Sequence, residues 1–251
     1  MLILHNKKLS LIVPVYKGEK FIAENLKQMK QSISKYFPNF EIIAVIDGYV
    51  DKSMEEAKKV AEVKVLGYKD NCGKGHALKY GFQHCTGDFV TFVDSDMDLP
   101  PRQLKNFIPY MATADMIIGS KRHPFSKLEY PLSRKILSKG YQLFSWMLLG
   151  VGLRDTQSGL KLMKKEVLDV IMPLAMVKRH AFDLELCFLA EKHGFRCVEA
   201  PIHIDYKFSG TSISRNTIFK MFLDTLAIRY RYSILHHYQK EYHNKRFGSK
   251  K

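Results

Sequence analysis

The chain has 251 residues, 46% of them hydrophobic, which is enough for a packed core and excludes disorder throughout. Lysine and arginine total 40 against 25 acidic residues, and the formal charge of +15 predicts an anionic partner: a nucleotide, a phospholipid surface or nucleic acid. The four cysteines include no CxxC pair, and the longest uncharged window, 140–153, is shorter than the roughly 20 residues of a spanning helix. We therefore expect a reduced, cytoplasmic protein without a membrane span.

Continuous apolar runs alternate with segments of helical periodicity along most of the chain. The predicted order is a strand at 9–16, a helix at 19–36, a strand at 40–46, a helix at 53–61, a strand at 62–66, a helix at 74–85, strands at 89–93 and 115–119, a helix at 132–149, a strand at 159–163, a helix at 182–192 and a strand at 195–200. This order favours an α/β fold with a mostly parallel central sheet, helices on both faces and ligands at the carboxyl ends of the strands.

The pattern changes near residue 215, which predicts a main domain at 1–215 and a C-terminal segment at 216–251. Residues 217–235 have the pattern of an amphipathic helix, and residues 238–251 are predicted to be a polar, basic and frayed tail. Two interpretations of the helix stay open. It lies on an anionic membrane surface, or it packs on the domain or on a dimer partner.

The stretch GDFVTFVDSDMDLPP, residues 87–101, predicts a buried strand that ends in three carboxylates. In an extended chain, side chains two apart point the same way, so Asp94 and Asp96 can converge on one cation. Mg²⁺ or Mn²⁺ is commonly held by one or two carboxylates and completed by substrate phosphates. The stretch therefore predicts a metal–diphosphate site, with Asp98 as a helix cap or an auxiliary group. The alternative is a solvated turn in which Asp96 or Asp98 caps a helix at Pro101.

Two further loops lie at the same predicted edge of the sheet. Asp47 follows a strand, and its carboxylate can accept hydrogen bonds from a nucleobase or a ribose; alternatively, Asp47 and Gly48 form a simple turn. The segment DNCGKGHALKYGF, residues 70–82, is rich in glycine and enters a helix, where backbone N–H groups and Lys74 can meet phosphate. The segment lacks the spacing and the Ser or Thr of a Walker A loop, which excludes an ATPase of that type. The alternative to a phosphate-binding loop is an ordinary helix N-terminus.

Cations and hydroxyls also follow the strand at 115–119. In the motif GSKR, Lys121 is one such cation, and Arg134 and Ser138 lie four residues apart on one face of a predicted helix. Such a group could receive a second phosphate, or it could be a solvated basic face. The turn RDTQSG, residues 154–159, precedes another strand and by itself can be an Arg–Asp loop pair. We assign Asp183 and Glu185 to the N-terminal dipole of their helix.

Together these motifs resemble those of the family 2 glycosyltransferases. The resemblance covers about residues 9–212 and implies a GT-A (Rossmann-like) fold. Its first half is carried by VPVYKGEKF, VIDGYVDKS, DNCGKGHALKYGF and FVDSDMDLPP. The motifs GSKR, LSRKILSKGYQLF, GLRDTQSGLKLMKKEVL and AFDLELCFLAEKHGFRCVEAPI are similar to dolichyl-phosphate glucose synthases and mannose synthases, and RDTQSG with AFDLEL leans towards the glucose branch.

The resemblance also implies roles for individual residues. The nucleotide-sugar site would contain Pro14, Tyr16, Glu19, Asp47, Asn71, Lys74 and Asp94. Asp94 and Asp96 would hold Mg²⁺ or Mn²⁺, and the lipid phosphate would bind Lys121, Arg134, Ser138 and Lys207. Asp94, Asp96 and Arg134 would be the catalytic residues. Lys121 and Lys207 stand where arginine is usual, and lysine offers a point charge in place of a planar fork.

The implied reaction is inverting transfer of a hexose from a nucleotide diphosphate sugar, UDP-glucose or GDP-mannose, to a polyprenyl (dolichyl) phosphate. The expected setting is the cytoplasmic face of a membrane. The second pKa of a phosphate monoester is about 6, so the acceptor oxygen is ionised without a general base. If the acceptor is instead a sugar hydroxyl, Asp155 beside Gln157 is the candidate base. A regulator that binds a nucleotide sugar without catalysis also remains open. The sequence has no recognised nucleic-acid-binding motif, so we expect no nucleic acid partner, and it does not predict the oligomeric state.

Overall fold

The computed structural model describes residues 7–128, 132–179, 181–204 and 215–247. The strands are β1 Leu9–Val15, β2 Phe40–Asp47, β3 Val63–Tyr68, β4 Phe89–Phe92, β5 Met116–Ser120, β6 Lys127–Leu128, β7 Lys161–Lys164, β8 Cys197–Pro201 and β9 His203–Ile204. The α-helices are α1 Ile22–Ser34, α2 Ser53–Lys58, α3 Lys74–Phe82, α4 Leu132–Leu149, α5 Lys165–Ile171, α6 Phe182–Lys192, α7 Arg215–Ser233 and α8 His237–Phe247. Two short 3₁₀ helices cover Pro101–Asn106 and Ile108–Tyr110.

Seven strands form the central sheet in the order β3-β2-β1-β4-β7-β5-β8, and β6 pairs with β9 apart from it. The first four strands in this order, β3, β2, β1 and β4, are parallel to one another, and β5 is parallel to β8. Strand β7 is antiparallel to both β4 and β5. The prediction of an α/β fold with a mostly parallel sheet is confirmed. The reversed direction of β7 pairs Lys161 with Phe92, so the start of β7 and the turn before it reach the end of β4.

Helices cover both faces of the sheet, which explains the continuous apolar strands. Successive side chains of a strand point to opposite faces. Ile12 accordingly packs in the layer that contains α3, α5 and α6, whereas Leu11 and Val13 pack in the layer that contains α1. Both layers are buried, so no position in the middle of β1 faces water, and the strand needs apolar residues throughout.

The C-terminal segment differs from the prediction in one respect. The predicted helix is present as α7, but the expected frayed tail is wrong over 238–247, because α8 is helical there. Tyr238 anchors α8: it is 1% exposed, and its hydroxyl donates a hydrogen bond of 2.6 Å to Oε1 of the buried Glu185 in α6. One aromatic residue in a polar segment thus reaches the core. The boundary of the C-terminal segment at 215/216 stays a prediction.

Across the described ranges, no helix combines the length and the hydropathy that a bilayer span requires.

We predict that Tyr238→Phe lowers the free energy of unfolding by about 1.5–3 kcal/mol, because the substitution removes a hydrogen bond to a buried carboxylate. Urea denaturation measures the change. Tyr230→Phe, at an exposed position of α7, is the matched control. A loss no larger than that of the control would mean that the Tyr238–Glu185 bond does not hold α8 in place.

Candidate active site

The acidic turn directly follows β4. The backbone N–H of Met97 donates to the carbonyl of Asp94, and the N–H of Asp98 donates to Oδ1 of Asp96 at 3.2 Å. Burial and the neighbouring charge of Asp94 raise the pKa of Asp96. Asp98 does not cap the 3₁₀ helix Pro101–Asn106, which has no side-chain cap, so that expectation is wrong. The turn therefore presents two adjacent carboxylates whose repulsion favours a positive charge beside them.

Lys74 supplies a positive charge at this place. Its Nζ lies 2.7 Å from Oδ1 of Asp94 and 3.3 Å from Oδ2 of Asp183. Burial acts to lower the pKa of Lys74, but the carboxylates of Asp183 and Asp94 outweigh it and raise that pKa above its usual range. Gly73, at a φ of 96°, makes the left-handed turn that leads into α3 and brings Lys74 over the end of β4.

Asp47, at the end of β2, shapes the loop before Lys74. It is 3% exposed, and its two oxygens accept the backbone N–H groups of Cys72 at 2.7 Å and Gly73 at 2.9 Å. Gly48, at a φ of 92°, lies so close that an added Cβ would be 3.0 Å from the backbone nitrogen of Asn71. The observed contacts of Asp47 therefore hold the glycine-rich loop, and its predicted contact with a nucleobase stays a prediction.

The loop after β1 is tied to the loop after β2. The backbone N–H of Lys52 donates to Oε2 of Glu19 at 3.2 Å, and the N–H of Gly18 donates to Oγ of Ser53 at 2.8 Å. Pro14 lies near the end of β1, and the ring of Tyr16 just beyond it is largely exposed. Predicted nucleotide-sugar residues from β1, β2, β4 and the start of α3 thus stand at one edge of the sheet.

The turn 154–159 approaches Asp94 from the other side. Gly159 packs so closely on Asp94 that a methyl group added at Gly159 would overlap the carboxylate oxygen Oδ2. Asp155 is buried and accepts the backbone N–H of Lys121 at 2.9 Å, while Lys121 Nζ is 3.9 Å from the same oxygen. Within the described residues, the side-chain nitrogen of Gln157 and the hydroxyl of Ser158 are buried without a hydrogen-bond partner. The turn therefore leaves two buried polar groups unsatisfied within the described structure.

The predicted acceptor-phosphate residues are only partly visible. Nη2 of Arg122 donates to both the carbonyl oxygen and the hydroxyl of Ser138, each at 2.9 Å. Arg134 belongs to α4, but its side chain lies outside the described part of the chain, as does the whole of Lys207. Among the described residues, Arg122 thus contacts Ser138, whereas the sequence interpretation named Lys121 and Arg134 as the cations of this site.

Sequence reasoning also missed a buried ion pair behind Lys74. Lys161 of β7 is 0% exposed, and its Nζ lies 2.7 Å from Oδ1 of Asp183 and 2.5 Å from the carbonyl oxygen of Ser158. Burial acts to raise the pKa of Asp183, but Lys161 and Lys74 outweigh it and hold that pKa below its usual range. Asp183 is therefore not simply an acid at a helix N-terminus. The sequence signal for this ion pair is Lys161, a lysine inside the otherwise apolar stretch LKLM, residues 160–163.

Comparison with known proteins identifies the family. The model of the family described as glycosyl transferase family 2 matches residues 10–172. The chain belongs to this family. A dolichyl-phosphate beta-glucosyltransferase of Trichomonas vaginalis is 31% identical, and the match covers 88% of this chain and 72% of the relative. The dolichyl-phosphate beta-glucosyltransferase of Mus musculus is 28% identical, with 90% of this chain and 76% of the relative covered.

A solved structure supports the fold of this family 2 glycosyltransferase. Glucosyl-3-phosphoglycerate synthase from Mycobacterium tuberculosis, in complex with Mn²⁺, UDP and phosphoglyceric acid, superposes with a TM-score of 0.69. The two chains are 14% identical, and the match covers 90% of this chain and 78% of the synthase. The GT-A fold implied by the sequence motifs is thereby confirmed.

We predict that Gly159→Ala lowers sugar transfer roughly 100-fold while the protein stays folded, because the new methyl group displaces the carboxylate of Asp94. The backbone of Gly159 is not left-handed, so alanine is tolerated there apart from this overlap. Initial rates and thermal melting measure the two effects. Gly152→Ala, where an added Cβ has only ordinary contacts, is the control. Unchanged turnover of Gly159→Ala would show that Asp94 does not need its observed position.

Proposed function

We propose that this glycosyltransferase transfers a hexose, with inversion, from a nucleotide diphosphate sugar to a polyprenyl phosphate of the dolichyl type. The observation that carries the proposal is the position of Asp94, which contacts both Lys74 of the glycine-rich loop and Gly159 of the turn 154–159. Donor and acceptor would meet over this carboxylate. The names of the relatives support glucose over mannose as the sugar that is transferred and a dolichyl phosphate as the acceptor.

Asp94 and Asp96 have the chemistry to hold Mg²⁺ or Mn²⁺. Among the described residues, no group of three or more His, Cys, Asp or Glu side chains is arranged around a common point. Two carboxylates fit a divalent cation that takes its remaining ligands from substrate phosphates and water. Such a cation would neutralise the leaving diphosphate. Burial and, after it, the charge of Asp94 raise the pKa of Asp96, and a divalent cation between the two carboxylates would relieve their repulsion.

The residues of the chain would act mainly by position and charge. Lys74 would donate to the diphosphate, and the loop that Asp47 holds would carry the rest of the nucleotide. Lys121, Arg122, Arg134 and Lys207 would offset the repulsion between the two phosphates. A phosphate acceptor is already ionised, so no side chain has to remove a proton.

The alternative acceptor, a sugar hydroxyl, would require Asp155 as a base. Asp155 is 6% exposed, and its Oδ2 already accepts the backbone N–H of Lys121. A base must reach the proton that it removes. This burial favours the phosphate acceptor, in which Asp155 instead holds Lys121 in place.

We also propose that helices α4 and α7 rest on an anionic membrane surface. They pack together through a 2.8 Å hydrogen bond between Tyr141 and Thr225 and through the rings of Phe144 and Phe222. Both helices expose large apolar side chains beside this contact: Leu143, Trp146 and Met147 on α4, and Phe219, Leu223, Leu226 and Tyr230 on α7. Exposed lysines and arginines accompany them, which suits anionic lipid. The cytoplasmic side of that membrane stays a prediction from the sequence.

To test the reaction, UDP-glucose, GDP-mannose and other donors are incubated with a short polyprenyl phosphate and Mg²⁺ or Mn²⁺. We expect a lipid-linked hexose, formed fastest from UDP-glucose. Asp96→Asn should lower the rate at least about 100-fold because a charged ligand of the metal is lost. Asp98→Asn, two residues away, is the control and should stay active. Absence of any lipid-linked hexose would refute the proposed acceptor, and full turnover of Asp96→Asn would refute the metal assignment.

To test the membrane surface, the fluorescence of Trp146, the single tryptophan, is followed on addition of vesicles. With anionic vesicles we expect a blue shift that weakens at high salt, because screening reduces the attraction between the basic helices and the lipid. Flotation of a Phe219→Ser/Leu223→Ser variant with anionic vesicles should fall. Val50→Ser, at an exposed apolar position outside α4 and α7, should float like wild type. Equal flotation of all three proteins would exclude α7 from the membrane contact.

A further inference from the structure

We propose that Lys161 and Asp183 are positioning residues of the donor site that act through Lys74. The inference rests on the proposed function, in which Lys74 binds the diphosphate of the donor. The four side chains form an alternating chain of charges. Lys161 Nζ lies 2.7 Å from Asp183, Asp183 lies 3.3 Å from Lys74, and Lys74 Nζ lies 2.7 Å from Asp94.

The distances show how the charge of Asp183 is shared. Its closer partner is Lys161, which is fully buried, and its more distant partner is Lys74, which is partly exposed and closer to Asp94. Because Lys161 already balances Asp183, most of the positive charge of Lys74 remains for Asp94 and for a bound phosphate. Without Lys161, Lys74 would be the cation of this group that pairs with Asp183. The pairing would then draw Lys74 away from the donor.

Contacts with neighbouring backbone and secondary structure hold Lys161 and Asp183 in this arrangement. Lys161 begins β7 opposite Phe92, its carbonyl oxygen accepts the hydroxyl of Thr91 at 2.7 Å, and its Nζ also binds the carbonyl of Ser158. Asp183 lies in the first turn of α6. Replacing a buried ion pair by apolar residues is often neutral or stabilising, so stability alone gives little reason for this pair. Its contact with Lys74, which reaches Asp94, gives it a role at the site.

The test is a double-mutant cycle on nucleotide binding. Calorimetry with Mn²⁺ gives the affinities of UDP, GDP, UMP and GMP for wild type, Lys74→Met, Lys161→Met and Lys74→Met/Lys161→Met. We expect Lys161→Met to weaken the preferred diphosphate about tenfold and to leave its monophosphate unchanged, because the lost contact is to the second phosphate. In the Lys74→Met background, Lys161→Met should have no further effect. Lys164→Met, on the same strand but paired with Asp115, is the control.

Each outcome bears on the proposal. An equal loss from Lys161→Met with and without Lys74, or an equal loss for diphosphate and monophosphate, would show that Lys161 is merely structural and would overturn the inference. If Lys161→Met does not fold, Lys161→Met/Asp183→Leu removes both buried charges together. Because no uncompensated carboxylate then remains to draw Lys74 away, we expect a diphosphate affinity close to that of wild type, and a selective loss of diphosphate affinity as large as that of Lys74→Met would overturn the inference. If wild type binds neither UDP nor GDP, the proposed function itself fails.

Discussion

The antiparallel pairing of β7 with β4 determines what the acidic turn faces. In a wholly parallel sheet, the residues before β7 would lie at the opposite edge from Asp94. Because β7 is reversed, its first residue, Lys161, pairs with Phe92, and the preceding turn delivers Gly159 onto the Asp94 carboxylate. A single reversal of strand direction thus brings Gly159 and Lys161, from the second half of the chain, to the acidic turn, which belongs to the first half.

Charge at the site is balanced locally, although the chain as a whole carries +15. Asp94 faces Lys74, Asp183 lies between Lys74 and Lys161, and Asp155 holds Lys121. Among the described residues, the cations at the carboxyl edge include the partly exposed Lys74 and Arg122 beside Ser138. Both suit phosphate or other oxygen-rich ligands. The net positive charge of the chain attracts anionic partners over a long range, whereas the ion pairs fix the positions of side chains at the site.

Most of the fold could be predicted from the sequence because buried strands and amphipathic helices have distinct periodicities. The direction of β7 could not, since the local pattern KLMK is the same for either direction. The tail was misjudged because a single buried residue, Tyr238, stabilises an otherwise polar helix. Asp47 and Asp94 could be placed at the carboxyl edge of the sheet because each follows an apolar strand. Lys161 was missed because its partner, Asp183, lies 22 residues away and meets it only in the folded chain.

The anchoring of Tyr238 has a consequence for cooperativity. The same Glu185 that accepts its hydroxyl also accepts the backbone N–H groups of Met176 and Val177, and the next residue, Lys178, accepts the N–H of Gly75 at the start of α3. A fluctuation that lifts α8 would remove one hydrogen-bond donor from Glu185 and loosen the loop 176–178, which contacts the start of α3. Helix α8 and the glycine-rich loop before α3 should therefore open and close as one cooperative unit.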